Sequence, residues 1–119
     1  MISTSSDNIV HLLGSADDFH ATANVASDYA PAIRFRHHLW QLIIDTGTPA
    51  VIIEATLSAT RDGTTVPDAE WFPVGTLNSS TKYLRLTNAC LAGVRARRAD
   101  STTNGVKVIY SGCGDLTDN

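Results

Sequence analysis

The stretch VIIEATLSATRDGTTVPDAEWFPVGT, residues 51–76, limits what this chain can fold into more than any other. Val51, Ile53, Ala55 and Leu57 alternate with Ile52, Glu54, Thr56 and Ser58. A period of two belongs to a strand with one buried and one wetter face. Asp62-Gly63 supplies a turn, and Pro67 keeps the loop from continuing as a ladder strand. A second strand opens at Trp71 and ends at Gly75. Two strands joined by a loop, with no pattern in them that carries chemistry, point to a β protein that works by binding or assembly.

The rest of the chain reads the same way. NIVHLL, residues 8–13, is a first strand closed by Gly14. Residues 15–29 read as a loop with at most one turn of helix, capped at Ser15 with Asp17 and Asp18 behind it. Ile33, Phe35 and His37 then alternate with Arg34, Arg36 and His38, before the apolar phase passes to Trp40, Leu42 and Ile44. Such a change of phase implies a bulge, or a strand that moves between sheets near His37-His38. Residues 77–80 form a polar turn, and Tyr83–Leu86 a short strand. Residues 91–98, LAGVRARR, alternate Leu91, Gly93, Arg95 and Arg97 against Ala92, Val94, Ala96 and Arg98. Asp100–Gly105 is expected to turn a hairpin into a last strand carrying Val106, Val108 and Tyr110. Seven to eight short strands, with turn signals about every ten residues, indicate a single all-β sandwich or jelly roll. The expected division is an N-terminal arm and first strand at 1–13, the sandwich at 14–112 and a flexible tail at 113–119.

Composition narrows the function. A chain of 119 residues, 43% hydrophobic and 18% charged, has enough apolar matter for one core. A formal charge of −3 disfavours nucleic acid as the main partner, because phosphate binding needs a basic surface. No segment approaches the ~20 apolar residues of a membrane span, and the N-terminus has no basic, apolar leader pattern. The expectation is a protein made in a cytoplasm. There, Cys90 and Cys113 are buried fillers or free thiols rather than a disulfide, and their spacing is no zinc signature.

Arg95, Arg97 and Arg98, with Lys107 across the expected hairpin, form the clearest charge cluster. They would contact an acidic neighbour or a phosphate, protect a strand edge, or pair with carboxylates across a subunit interface. Arg95→Glu or Arg97→Glu is then expected to weaken assembly and leave the fold intact. Arg34 and Arg36, beside His37 and His38, are further interface candidates. Adjacent strand residues face opposite ways, so the two histidines do not make a metal site with His11 or His20. They read as solvated or interface residues. No nucleophile elbow, paired carboxylates, P-loop or dinucleotide fingerprint is present, so no enzyme activity, metal or cofactor is expected. Trp71 and Phe72 stand side by side, so one ring should face in and the other out, where it could stack on a sugar.

The arrangement VIIEATLSATRDG, EWFPVGTL, YLRLTN and LAGVRARRADSTTNGVKVIYSG resembles small β-sandwich proteins of bacteriophage virions. The residues that carry it are Ser58, Asp62, Gly63, Trp71, Val74, Val94, Arg95, Ala96, Gly105, Val106 and Val108, within residues 51–112. The resemblance implies a capsid decoration (cement) protein, or a tail, neck or fibre component, without catalytic residues. It implies a homo-oligomer, commonly a trimer, whose partners are the major capsid protein or other virion proteins. Residues 1–13 would be an arm that touches the capsid. A carbohydrate-binding sandwich, with Trp71 or Phe72 as its exposed ring, is the other reading.

Overall fold

A computed structural model describes residues 9–58 and 66–115. Among these the strands are β1 (Ile9–Leu13), β2 (Ala30–Pro31), β3 (Phe35–Ile44), β4 (Val51–Thr56), β5 (Phe72–Leu77), β6 (Tyr83–Leu86), β7 (Gly93–Arg98) and β8 (Val106–Asp115). They form two antiparallel four-stranded sheets, ordered β1-β8-β3-β6 and β2-β7-β4-β5. A 3-10 turn at Asp68–Glu70 leads into β5. The protein is all-β and a sandwich. Asp62-Gly63 and residues 1–8 of the expected arm lie outside the described residues.

Alternation builds the core. Trp40 and Leu42 of β3 and Val106, Val108 and Tyr110 of β8 point inward from one sheet; Val51, Ile53 and Ala55 of β4 and Val94 and Ala96 of β7 meet them from the other. Most of these are fully buried, each worth roughly 1.5–3 kcal/mol when the side chain is large. One flank is sealed where Leu84 of β6 lies on Gly75 of β5. A Cβ on Gly75 would come within 2.8 Å of that leucine.

Three expectations change. The pairing of β3 with β8 runs in one unbroken register from Phe35 opposite Asp115 to Ile44 opposite Val106, so there is no bulge at His37-His38. The chain does change sheets, but earlier: β2 lies in one sheet, and β3 begins in the other at Phe35. The irregular steps fall instead between His11 and Leu13 in β1, and opposite Ile53 and Glu54, where Val74 is the extra residue of β5. Asp100–Gly105 is no hairpin. β7 and β8 lie in different sheets, so this loop crosses the sandwich, and Lys107 does not sit across a ladder from the arginines. Finally, β8 continues through Cys113 to Asp115, past the point where a flexible tail was expected to start.

Candidate functional site

The arginines of β7 are consumed inside the chain. Arg95 and Arg97 project from the outer face of the β2-β7-β4-β5 sheet, directly beside Glu54 of β4. Arg95 Nε donates to Glu54 Oε1 at 2.7 Å, Arg97 Nη2 donates to Oε2 at 2.6 Å, and Arg95 Nη1 donates to Asp68 at 3.2 Å. Glu54 is only 5% exposed. Burial works to raise its carboxyl, but the hydrogen bonds and charges of Arg97 and Arg95 outweigh it and hold the group below its ordinary value. The Arg95 guanidinium also lies 4.4 Å from the centre of the Trp71 ring, and Tyr29 meets that ring edge-on at 5.9 Å. Tyr29 Oη donates to Ala92 O at 2.7 Å, and its ring occupies the space that a Cβ on Gly93 would need. The chain thus closes this sheet face with its own residues.

Arg98 alternates to the inner side and is 1% exposed. Its Nη2 and Nε donate to Asp100 at 2.7 and 3.2 Å. Asp100 also accepts from the backbone N–H groups of Ala50 and Thr102 and from the Thr102 hydroxyl. Burial would raise the Asp100 carboxyl, but Arg98 and these donors hold it well below the usual carboxylate range. This knot fixes the loop that carries the chain from β7 to β8. Of the other candidates, Lys107 Nζ donates to Ala16 O at 3.0 Å and lies over the Phe19 ring. Arg34 and Arg36 are exposed at the start of β3. The structure does not bring the six basic candidates to one surface, and Arg95 and Arg98 face no solvent.

His38 is a core residue, not a solvated one. It is 1% exposed and shares the inner face with Trp40 and Tyr110. Its Nε2 lies 3.0 Å from Ala89 O, which can only accept, so Nε2 carries the proton. Nδ1 is then an acceptor for Tyr110 Oη at 2.6 Å. Burial lowers the affinity of this imidazole for a second proton and raises the Tyr110 phenol. The paired rings resolve as expected, with Trp71 buried and Phe72 41% exposed. Cys90 and Cys113 are free, exposed thiols rather than buried fillers. Among the described residues no three His, Cys, Asp or Glu side chains converge, and no helix is long and apolar enough to cross a membrane.

Among the described residues, the outer face of the β1-β8-β3-β6 sheet has no comparable cover of rings and ion pairs. Register aligns Ile9, Ser111, Leu39 and Arg85 in one row across the four strands, and His11, Ile109, Gln41 and Tyr83 in the next. Ile9, Leu39, Ile43 and Tyr83 are all exposed. The signal for this face lies in LWQLII, residues 39–44, where Leu39 and Ile43 put apolar side chains in the outward phase on either side of Gln41. Such a run marks a strand that is covered on both sides.

No family model matches the chain, and no curated protein matches it in sequence. Among solved structures it is similar to the crystal structure of the SPBc2 prophage-derived protein YomS. That match has a TM-score of 0.58 at 13% identity and covers 86% of this chain and 88% of the other. The two share a fold. A match to a structure titled "Bacillus endospore appendages form a novel family of disulfide-linked pili" has a TM-score of 0.37 at 20% identity, over 90% of both chains, and carries no argument.

Proposed function

We propose that this chain is a non-enzymatic structural protein of a bacteriophage particle, and that it decorates the capsid. The observation that carries this reading is the fold shared with a prophage-derived protein over most of both chains. The use of the charged residues supports it. Arg95, Arg97 and Arg98 pair with carboxylates of the same chain, and among the described residues the sheet face left open carries exposed Ile9, Leu39, Ile43 and Tyr83. Decoration by such a module works through burial of apolar surface against the major capsid protein or other virion proteins, with homo-oligomers adding avidity. The chain would be made in the host cytoplasm and carried in the virion. A glycan platform is the weaker reading, because Trp71 is covered by Tyr29 and Arg95, and among the described residues Phe72 has no partner ring.

Immunogold electron microscopy of gradient-purified particles, with antibody raised against this chain, tests the proposal. Gold distributed over the heads is the expected result. Gold confined to tails or necks would move the protein there, and unlabelled particles with all of the chain in the soluble fraction would overturn the structural role.

A further inference from the structure

We infer that residues 87–90 form an acid-opened latch: His37 and His38, both neutral, hold this connection against β3, and protonation of His38 releases it while the two sheets stay paired. The connection leaves β6 at Leu86 in one sheet and reaches β7 at Gly93 in the other. Adjacent residues of β3 point to opposite faces, yet both imidazoles meet this one segment. Asn88 N–H donates to His37 Nδ1 at 3.4 Å, and His38 Nε2 donates to Ala89 O at 3.0 Å. Ala89 N–H donates in turn to Arg36 O at 3.0 Å. The segment itself is thinly packed: Thr87, Asn88 and Cys90 are exposed, and Ala89 is half-buried.

The closed form needs neutral rings, because Nδ1 of either histidine accepts only while it carries no proton. A second proton on His38 goes to Nδ1, 2.6 Å from Tyr110 Oη. The hydroxyl must then turn its own hydrogen into an apolar layer, and a charge is left buried there. The groups around the ring do not compensate. β8 brings Tyr110 and Cys113, β6 brings Arg85, and β3 brings His37, with the exposed Arg34 and Arg36 just before it. None of these is a carboxylate. The inward cation of the facing sheet, Arg98, is the last residue of β7, whereas the latch precedes the first. Burial is the main obstacle to the imidazolium; the Ala89 carbonyl favours it, and a charge on His37 opposes it. Lifting the segment lets water reach the ring and removes the main obstacle.

The opening stays local because the chain is pinned on both sides of the segment. Leu91 and Ala92 are buried. Ala92 N–H donates to Thr56 O at 2.9 Å, and Ala92 O accepts from Ala32 N–H and Tyr29 Oη. On the other side, Leu86 is paired with His38 in the ladder of β3 and β6. Opening therefore exchanges the bonds of Asn88 and Ala89, and the partial burial of one methyl, for a solvated imidazolium. Segments with so few buried contacts open before the fold does. The inference does not depend on the virion role proposed above.

Amide hydrogen exchange followed by NMR on the full chain, corrected for the intrinsic pH dependence of exchange, provides the test. Between pH 7 and 5 the protection of the Ala89 N–H should fall by up to about 25-fold. That is the factor expected when an imidazole with an ordinary value of about 6.5 takes up its proton only in the open state. At both pH values Ala89 should stay less protected than the Val106 N–H, which is bonded to His20 O in the core. His38→Gln keeps a donor for Ala89 O and takes up no proton, so its Ala89 protection should not change with pH. His37→Gln should still respond. Constant Ala89 protection in the wild type, or protection equal to that of Val106, would overturn the inference. So would a folded His38→Gln that still responds, or a His37→Gln that does not. The first two outcomes need no variant, so a His38→Gln chain that fails to fold leaves the test in force.

Discussion

At the scale of single residues, the polar groups that matter most are the buried ones. His38 and Tyr110 satisfy each other inside an apolar layer, where an unpaired partner is expensive. Tyr110→Phe should therefore lower stability by about 1–3 kcal/mol in chemical denaturation, since it leaves Nδ1 buried with no donor. Asp100→Ala should cost more, roughly 3–5 kcal/mol, because it strands the buried Arg98 cation and frees the Ala50 N–H as well. The same groups set the response to acid. The folded state holds Glu54 and Asp100 below their ordinary values, so their contribution is present above about pH 4 and is lost as pH falls further. The folded state also holds His38 below its ordinary value, so the unfolded chain takes up the proton first, and this contribution begins to fall below about pH 6.5. Midpoints of urea unfolding across pH 3–8 should decline in two stages as pH drops. A flat profile between pH 7 and 5 would contradict the role given to His38.

At the scale of elements, the sequence states which segments are strands more clearly than which strands are neighbours. Alternation marked β4 and β7, because a half-buried strand must repeat every two residues. It could not reveal that β7 and β8 belong to different sheets. Asn104-Gly105 suits a hairpin corner, yet the Arg98–Asp100 knot and the bond from Ala50 N–H direct the loop across the sandwich. Glu54 and the arginines show a second blind spot. Charged residues on a strand look solvent-facing until their cross-strand partners are known, and Glu54 opposite Arg95 is a contact between residues far apart in the chain. The expected effect of Arg95→Glu therefore reverses. It sets two carboxylates side by side under Trp71 and should destabilise the fold itself, by about 3–5 kcal/mol. Thermal unfolding of the isolated protein would detect this without any partner. Unchanged melting of Arg95→Glu would return the arginine to the surface role first expected of it.

At the scale of the whole molecule, the sandwich is asymmetric in how it uses its two outer faces. One spends its charge on a cover made from its own chain; the other presents Leu39, Ile43 and Tyr83. Part of that asymmetry was legible in Leu39 and Ile43, which place apolar side chains in the outward phase around Gln41, although the run suggests a change of phase when read in isolation. A structural component of a particle also has a quantitative signature that a carried-over enzyme or a soluble binding protein lacks: a fixed copy number. The most direct measurement is quantitative mass spectrometry of gradient-purified particles, reporting this chain per copy of the major capsid protein. A constant ratio across preparations and through high-salt washing is the expected result. A trace amount that varies between preparations, or that washes away while the particles stay whole, would contradict the structural role.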